Sequence, residues 1–274
     1  VSKDNDEKLA LAVEMAELAE HKAGMADKAI DLWKGILRQA PADPRPKTAL
    51  RRLYHTAEKW NALLEVLKDD LDHLPETDVA GKVAVLSEMV GIYRDRLQLD
   101  VMVINTFNAI LALDPTNAQA LGALAHKYES MNRWNDLIGV LARQAESTAD
   151  LAVKKALLVR VADLWLEKFT NPNKAIEPLE QILALDPRDA NALAELKDIY
   201  GKRRNWRGLL TLQQRLLELA PEAERRPLLL EMADLAQKKL GDPVEAIQAW
   251  NRLLELDPDD PDALEALIAL YERE

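Results

Sequence analysis

A block of about 72 residues is written along this chain more than three times, and no other feature limits its fold so tightly. The run before each Asp-Pro or Ala-Pro step reads AIDLWKGILRQAP at 29–41, VINTFNAILALDP at 103–115, AIEPLEQILALDP at 175–187 and AIQAWNRLLELDP at 246–258. The prolines stand at Pro41, Pro115, Pro187 and Pro258, in steps of 74, 72 and 71. Tyr54, Tyr128, Tyr200 and Tyr271 keep the same beat, and so do Trp60, Trp134 and Trp206. Three independent markers in one frame do not come from biased composition. A period of this length means stacked supersecondary units, none able to bury its apolar face alone.

Each unit reads as four helices. In the third, VKKALLVRVADLWLEKF carries apolar residues at the 3.6-residue spacing and ends at the turn TNPN. NKAIEPLEQILAL follows and stops at Asp186-Pro187, because proline disfavours helix in the residue before it. ANALAELKDIYGKR and NWRGLLTLQQRLLELA complete the unit. Linkers of two to five residues make neighbours antiparallel hairpins. The first helix keeps its apolar stripe in frame: Met15, Met89, Val161 and Met232, then Leu18, Ile92, Leu164 and Leu235. The expected architecture is all-α, with about fifteen helices and no strand. The units span about 5–73, 79–147, 150–220 and 222–274, the last one incomplete. A divergent stretch at 73–80 accounts for the longer first step.

Composition narrows the function classes. The chain has 274 residues and a net charge of −11, a surface that repels phosphate backbones and anionic lipid. Nucleic acid is therefore not an expected partner. No apolar run reaches the roughly 18 residues of a membrane span, so direct membrane insertion is not expected either. Without cysteine there are no disulfides, thiolate metal sites or cysteine nucleophiles. That fits cytoplasm or periplasm, with the cytoplasm the favoured reading. The chain opens on Val1 and stops inside a repeat at Glu274, which reads as a fragment of a longer protein.

Split at its midpoint, each unit gives two hairpins of about 34 and 38 residues. The shorter one resembles the tetratricopeptide repeat. Leu121, Leu124, Ala125 and Tyr128 fit that family's first helix; Ala175, Leu179 and Pro187 fit its second, as do Ala246, Trp250 and Pro258. Leu209 replaces the second-helix alanine in one copy, and Arg51, Lys197 and Ile268 replace the small residue after leucine in others. The resemblance, to a bacterial-type solenoid, runs over essentially the whole chain. It implies a right-handed superhelix whose concave groove, lined by first helices, binds peptides or partner proteins. The family's carboxylate clamp of Lys, Asn and Arg is missing: its positions hold Thr48 and Arg52, Gly122 and His126, Ala194 and Asp198, Glu265 and Ala269.

No catalytic constellation stands out. His21, His55, His73 and His126 sit in no nucleophile or metal motif, there is no phosphate loop, and no cofactor is expected. His73 lies near Asp69, Asp70 and Asp72, but neighbours on one solvated helix end do not all converge. Trp60, Trp134 and Trp206 each follow a short turn and read as wedges packing on the tyrosines. Trp165 differs, because its frame-mates Ala19, Tyr93 and Ala236 vary in size, as a groove position can. Lys202, Arg203, Arg204 and Arg207 surround Trp206 and could dock an acidic partner.

The chain is thus expected to be a non-enzymatic scaffold for a protein or peptide. Its groove would offer Arg52 and His55, then His126 and Glu129, then Asp198 and Lys202, a changing surface on a fixed frame. The outer face, with Glu180 and Arg215, is the other candidate. Two alternatives stay open. One is a regulatory or substrate-docking segment of a larger enzyme. The other is an oligomerisation module that self-associates through its uncapped C-terminal stripe of Leu264, Leu267, Ile268, Leu270 and Tyr271.

Overall fold

A computed structural model describes residues 2–22 and 25–272. It divides into two compact units, residues 1–131 and 132–274, a boundary between the third and fourth helices of the second sequence block. The first unit holds α1 (Ser2–His21), α2 (Ala26–Gln39), α3 (Pro44–Thr56), α4 (Trp60–His73), α5 (Val79–Gly91), α6 (Asp100–Leu113) and α7 (Ala118–Ser130). The second holds α8 (Trp134–Ser147), α9 (Leu151–Glu167), α10 (Pro172–Leu185), α11 (Ala190–Lys202), α12 (Trp206–Leu219), α13 (Glu222–Leu235), α14 (Pro243–Leu256) and α15 (Pro261–Tyr271). Among the described residues there is no strand. Within each unit every helix packs on the next, giving a helical solenoid built from hairpins.

The sequence period reappears as three kinds of loop. After each second helix, the amide of Asp43, Asn117, Asp189 or Asp260 donates to the carbonyl three residues earlier, at 3.0–3.2 Å. The same side chain then caps the next helix, accepting from the amide of Arg45, Ala120, Ala192 or Ala263. Before α4 and α12, the amides of Lys59 and Asn205 donate to the carbonyls of Tyr54 and Tyr200, at 2.8 and 2.9 Å. Glu58 and Arg204 stand in these turns with left-handed φ of 53° and 55°. Before α6, α10 and α14 the closure is one residue wider. Leu99, Asn171 and Asp242 donate to Tyr93, Trp165 and Ala236, with Gln98, Thr170 and Gly241 left-handed. Two of these wide turns leave a π-helical turn behind them, Ile92–Arg96 and Ala236–Leu240.

Packing follows the same frame. Trp33, Phe107, Leu179 and Trp250 occupy one buried slot on α2, α6, α10 and α14. Met89, Val161, Met232, Ile92, Leu164 and Leu235 are buried on helices that pack against α4, α8 or α12. Met15 and Leu18 lie on α1, which no described helix precedes, and are 47% and 64% exposed. At the other end Leu267 and Leu270 are buried, while Leu264, Ile268 and Tyr271 face solvent.

The tryptophan marker carries a contact that the repeat pattern of the tryptophans and tyrosines does not show. Trp60, Trp134 and Trp206 open α4, α8 and α12 and are only half-buried. Each ring lies beneath a cation from the following hairpin: Arg96 at 4.9 Å, Lys168 at 5.3 Å and Lys239 at 5.7 Å from the ring centre. The three cations are themselves one frame slot. A repeated cation–π contact therefore joins α4, α8 and α12 to the hairpin that follows each of them.

One core slot breaks the apolar pattern. Leu67 and Leu141 are buried on α4 and α8, and the equivalent position on α12 is Gln213, 4% exposed. Its amide nitrogen donates to Glu231 at 2.9 Å, and its carbonyl oxygen has no partner among the described residues. A buried amide with an unsatisfied acceptor costs on the order of 1–3 kcal/mol. Gln213→Leu is expected to raise stability by about 1 kcal/mol, because leucine already fills this slot twice. Denaturant unfolding of the two proteins checks the sign.

Candidate functional site

Two concavities follow the repeat. In the first unit a cleft of about 550 Å³ opens between α2, α3 and α4. In the second, one of about 510 Å³ opens between α10, α11 and α12. Seven lining positions are frame-equivalent: Lys34 and Glu180, Leu37 and Leu183, Pro41 and Pro187, Lys47 and Leu193, Val66 and Leu212, Asp69 and Arg215, His73 and Leu219. The leucine, the proline and the Val/Leu position persist, so both clefts share an apolar part. The charges at the rim invert, and a lysine and a histidine become leucines in the second unit.

A further cleft of about 410 Å³ lies on the other side of α12, between α11, α12 and α13. Leu193, Leu216 and Leu219 line both cavities of this unit. The register of α12 explains the arrangement. Leu209, Leu210, Leu212 and Leu217 face the core, which leaves Leu216 and Leu219 at the edge of the stripe. Pro187 and Pro221 stop further helix after α10 and α12, so the cavities open at those helix ends.

Charge is held tightly around the first of these cavities. Glu180 accepts from the Tyr200 hydroxyl at 3.1 Å and pairs with Arg215 at 2.5 Å. Burial and the negative charge of Glu180 push the Tyr200 phenol up to about 12. The tyrosine marker meets this same second-helix slot in other copies: Lys34 lies over the Tyr54 ring at 5.8 Å, and Asn108 donates to the Tyr128 hydroxyl at 3.2 Å. On the α13 side, Glu231 pairs with Lys197 at 3.0 Å and takes the Gln213 amide. Lys155 bridges Asp186 and Asp189, at 2.7 and 2.6 Å, and its ammonium holds both carboxyls below their usual range.

The residues expected at the groove are dispersed along the first helices. Arg52 pairs with Glu20, which also accepts the Trp33 indole N–H at 2.5 Å. His55 stands edge-on to Trp60 at 5.3 Å. His126 and Glu129 are exposed on α7. Asp198 pairs with Lys202 at 2.7 Å, one turn on. Trp165 is half-buried between Phe169, at 4.9 Å, and Lys174, at 4.4 Å, and its frame-mates Ala19, Tyr93 and Ala236 are all buried. Arg203, Arg204 and Arg207 are exposed, with Arg207 reaching Asp242 at 3.3 Å. His73 hydrogen-bonds the Asp69 carbonyl at 2.6 Å, and Asp69 and Asp70 both pair with Lys47. Among the described residues no group of three His, Asp or Glu side chains is placed to hold a metal ion, and no helix is long and apolar enough to cross a membrane.

Two family models match the chain, both described as a tetratricopeptide repeat, over residues 120–154 and 226–270. No curated protein matches it in sequence. Solved structures similar to it include the C-terminal part of a repeat-containing protein of this kind from Cytophaga hutchinsonii, 16% identical, covering 94% of this chain and 99% of that one with a TM-score of 0.32. Another is a tetratricopeptide repeat protein from Parabacteroides merdae, 14% identical, covering 96% and 98%, TM-score 0.36. A third is PilF of Pseudomonas aeruginosa, 15% identical, covering 97% and 99%, TM-score 0.30. At these scores the fold rests on the chain's own helices and period.

Tyr200 supplies a pH test of the cleft wall. Its folded-state pKa lies above the ordinary value of 10.0. The native state therefore disfavours the phenolate, and the stability this confers is complete below about pH 10 and lost as pH rises toward 12. Glu180→Gln removes the adjacent negative charge. A spectrophotometric tyrosinate titration is expected to show the highest-titrating tyrosine moving down in that variant.

Proposed function

We propose that the chain is a scaffold of tetratricopeptide-like hairpins that holds a segment of a partner protein in the clefts between α2, α3 and α4 and between α10, α11 and α12. Repeats of this family mediate protein–protein interactions in general. The observation that carries the finer reading is the recurrence of one cleft at seven equivalent positions, with a preserved apolar part and an altered rim. A scaffold that keeps its cavity and changes its rim can tell one segment from another, because specificity lies in differences between sites. The cavities are preformed and of a size suited to a few apolar side chains, so little ordering is required of the scaffold on binding.

The first-helix groove is the second reading. It is supported by the exposed His126, Glu129, Asp198 and Lys202. Against it, Arg52, Asp198 and Lys202 already answer charges within the chain. Exposed Leu264, Ile268 and Tyr271 support self-association as a further alternative, which sedimentation at several concentrations tests directly.

A photo-crosslinking amino acid placed at Leu219 or at Arg215, and in a parallel set at Asp198 or His126, separates the two surfaces. Partner adducts are expected at Leu219 and Arg215. Adducts confined to Asp198 and His126, with folding intact in all four, would move the site to the groove.

A further inference from the structure

We infer that the paired cavities flanking α12 take a basic amphipathic segment of another protein, with its apolar side chains seated on either side of the Leu216–Leu219 ridge and its cations on Glu218 and Glu224. This rests on the scaffold reading above and adds the chemistry of the occupant. The shape comes first. Leu216 and Leu219 line both cavities, so the edge of α12 stands as an apolar ridge between two hollows. Leu219 is 37% exposed at its crest. A flat apolar patch would accept almost any hydrophobic surface. A ridge with a hollow on each side selects a ligand that offers apolar groups in two rows or at spaced positions, as an amphipathic helix does at i, i+3/i+4 and i+7.

Charge then chooses among amphipathic segments. Of the ionic groups lining the two cavities, Glu180 and Arg215 answer each other, and Glu231 answers Lys197. That leaves the exposed Glu218 and Glu224, for which no ion pair occurs among the described residues, against the single guanidinium of Arg188. Two unanswered carboxylates to one cation favour a ligand with net positive charge. The chain's net charge of −11 adds long-range attraction of the same sign. The equivalent cleft of the first unit is an internal contrast. Lys34, Lys47 and His73 stand there at the positions of Glu180, Leu193 and Leu219, so it presents neither the ridge crest nor the same rim.

The test uses the full chain and two fluorescein-labelled helical peptides, one of leucine and lysine and one of leucine and glutamate, read by anisotropy. The Leu/Lys peptide is expected to bind and the Leu/Glu peptide not to. Glu218→Lys with Glu224→Lys is expected to weaken the Leu/Lys peptide about tenfold or more, and Arg188→Glu to tighten it. Glu58→Lys with Glu76→Lys changes the net charge equally in the first unit and is expected to shift binding little. Equal weakening by that control pair would reduce the effect to general attraction and overturn the inference. If the Leu/Glu peptide binds instead and Leu219→Asp abolishes it, the cleft holds a partner and the charge assignment fails. If Leu219→Asp, folded by circular dichroism, changes neither peptide, the cleft reading fails with it.

Discussion

Helices α2, α6, α10 and α14 all end in the same short turn, and the rest of the structure depends on it. The amide of Asp43, Asn117, Asp189 or Asp260 closes onto the carbonyl three residues back, and its side chain at once caps the next helix. A stop and a start are thus made by one residue. The two helices it joins are brought face to face within the reach of a few residues. Once that hairpin is set, the apolar stripe of each helix can be covered only by its neighbours in the chain, which is why one unit alone would be insufficient. Where no described helix stands before α1 or after α15, positions that are buried in the other copies are exposed, as Met15, Leu18 and Tyr271 show.

Much of this could be read without coordinates. Asp186-Pro187 marked a helix end because proline constrains the residue before it, and α10 ends at Leu185. Trp33, Phe107, Leu179 and Trp250 share a slot in sequence and a buried slot in space. What stayed hidden involves pairs far apart along the chain. Trp60 and Arg96 lie 36 residues apart, so a turn-by-turn reading sees a wedge and misses the cation that covers it. The cation slot Arg96, Lys168 and Lys239 does recur in frame, and tracing that recurrence alongside the tryptophans is the signal that would have exposed the contact. Gln213 was hidden for another reason: a single polar residue among leucines looks like ordinary helix surface until its burial is known.

The candidate site was legible only in outline. The sequence pattern marks first-helix residues as a changing surface, and Arg52, Asp198 and Lys202 do lie exposed on those helices. Their charges nevertheless close onto Glu20 and onto each other. The two frame-equivalent clefts form between α2, α3 and α4 and between α10, α11 and α12, and the wall of the second combines residues as distant as Glu180 and Leu219. No local motif encodes that juxtaposition. It follows from the stacking of hairpins, and it repeats because the stacking repeats. What differs between copies is the rim, and rim chemistry is where a scaffold of constant shape acquires preference for one partner over another.

Hydrogen exchange on the full chain with and without a bound partner segment tests the central claim most directly, since it reports every backbone amide at once. Slowed exchange is expected at the turn around Pro187 and from Leu216 to Leu228, around the two cavities of α12. Slowed exchange confined to α7 and the His126 face, with the α12 region unchanged, would contradict it.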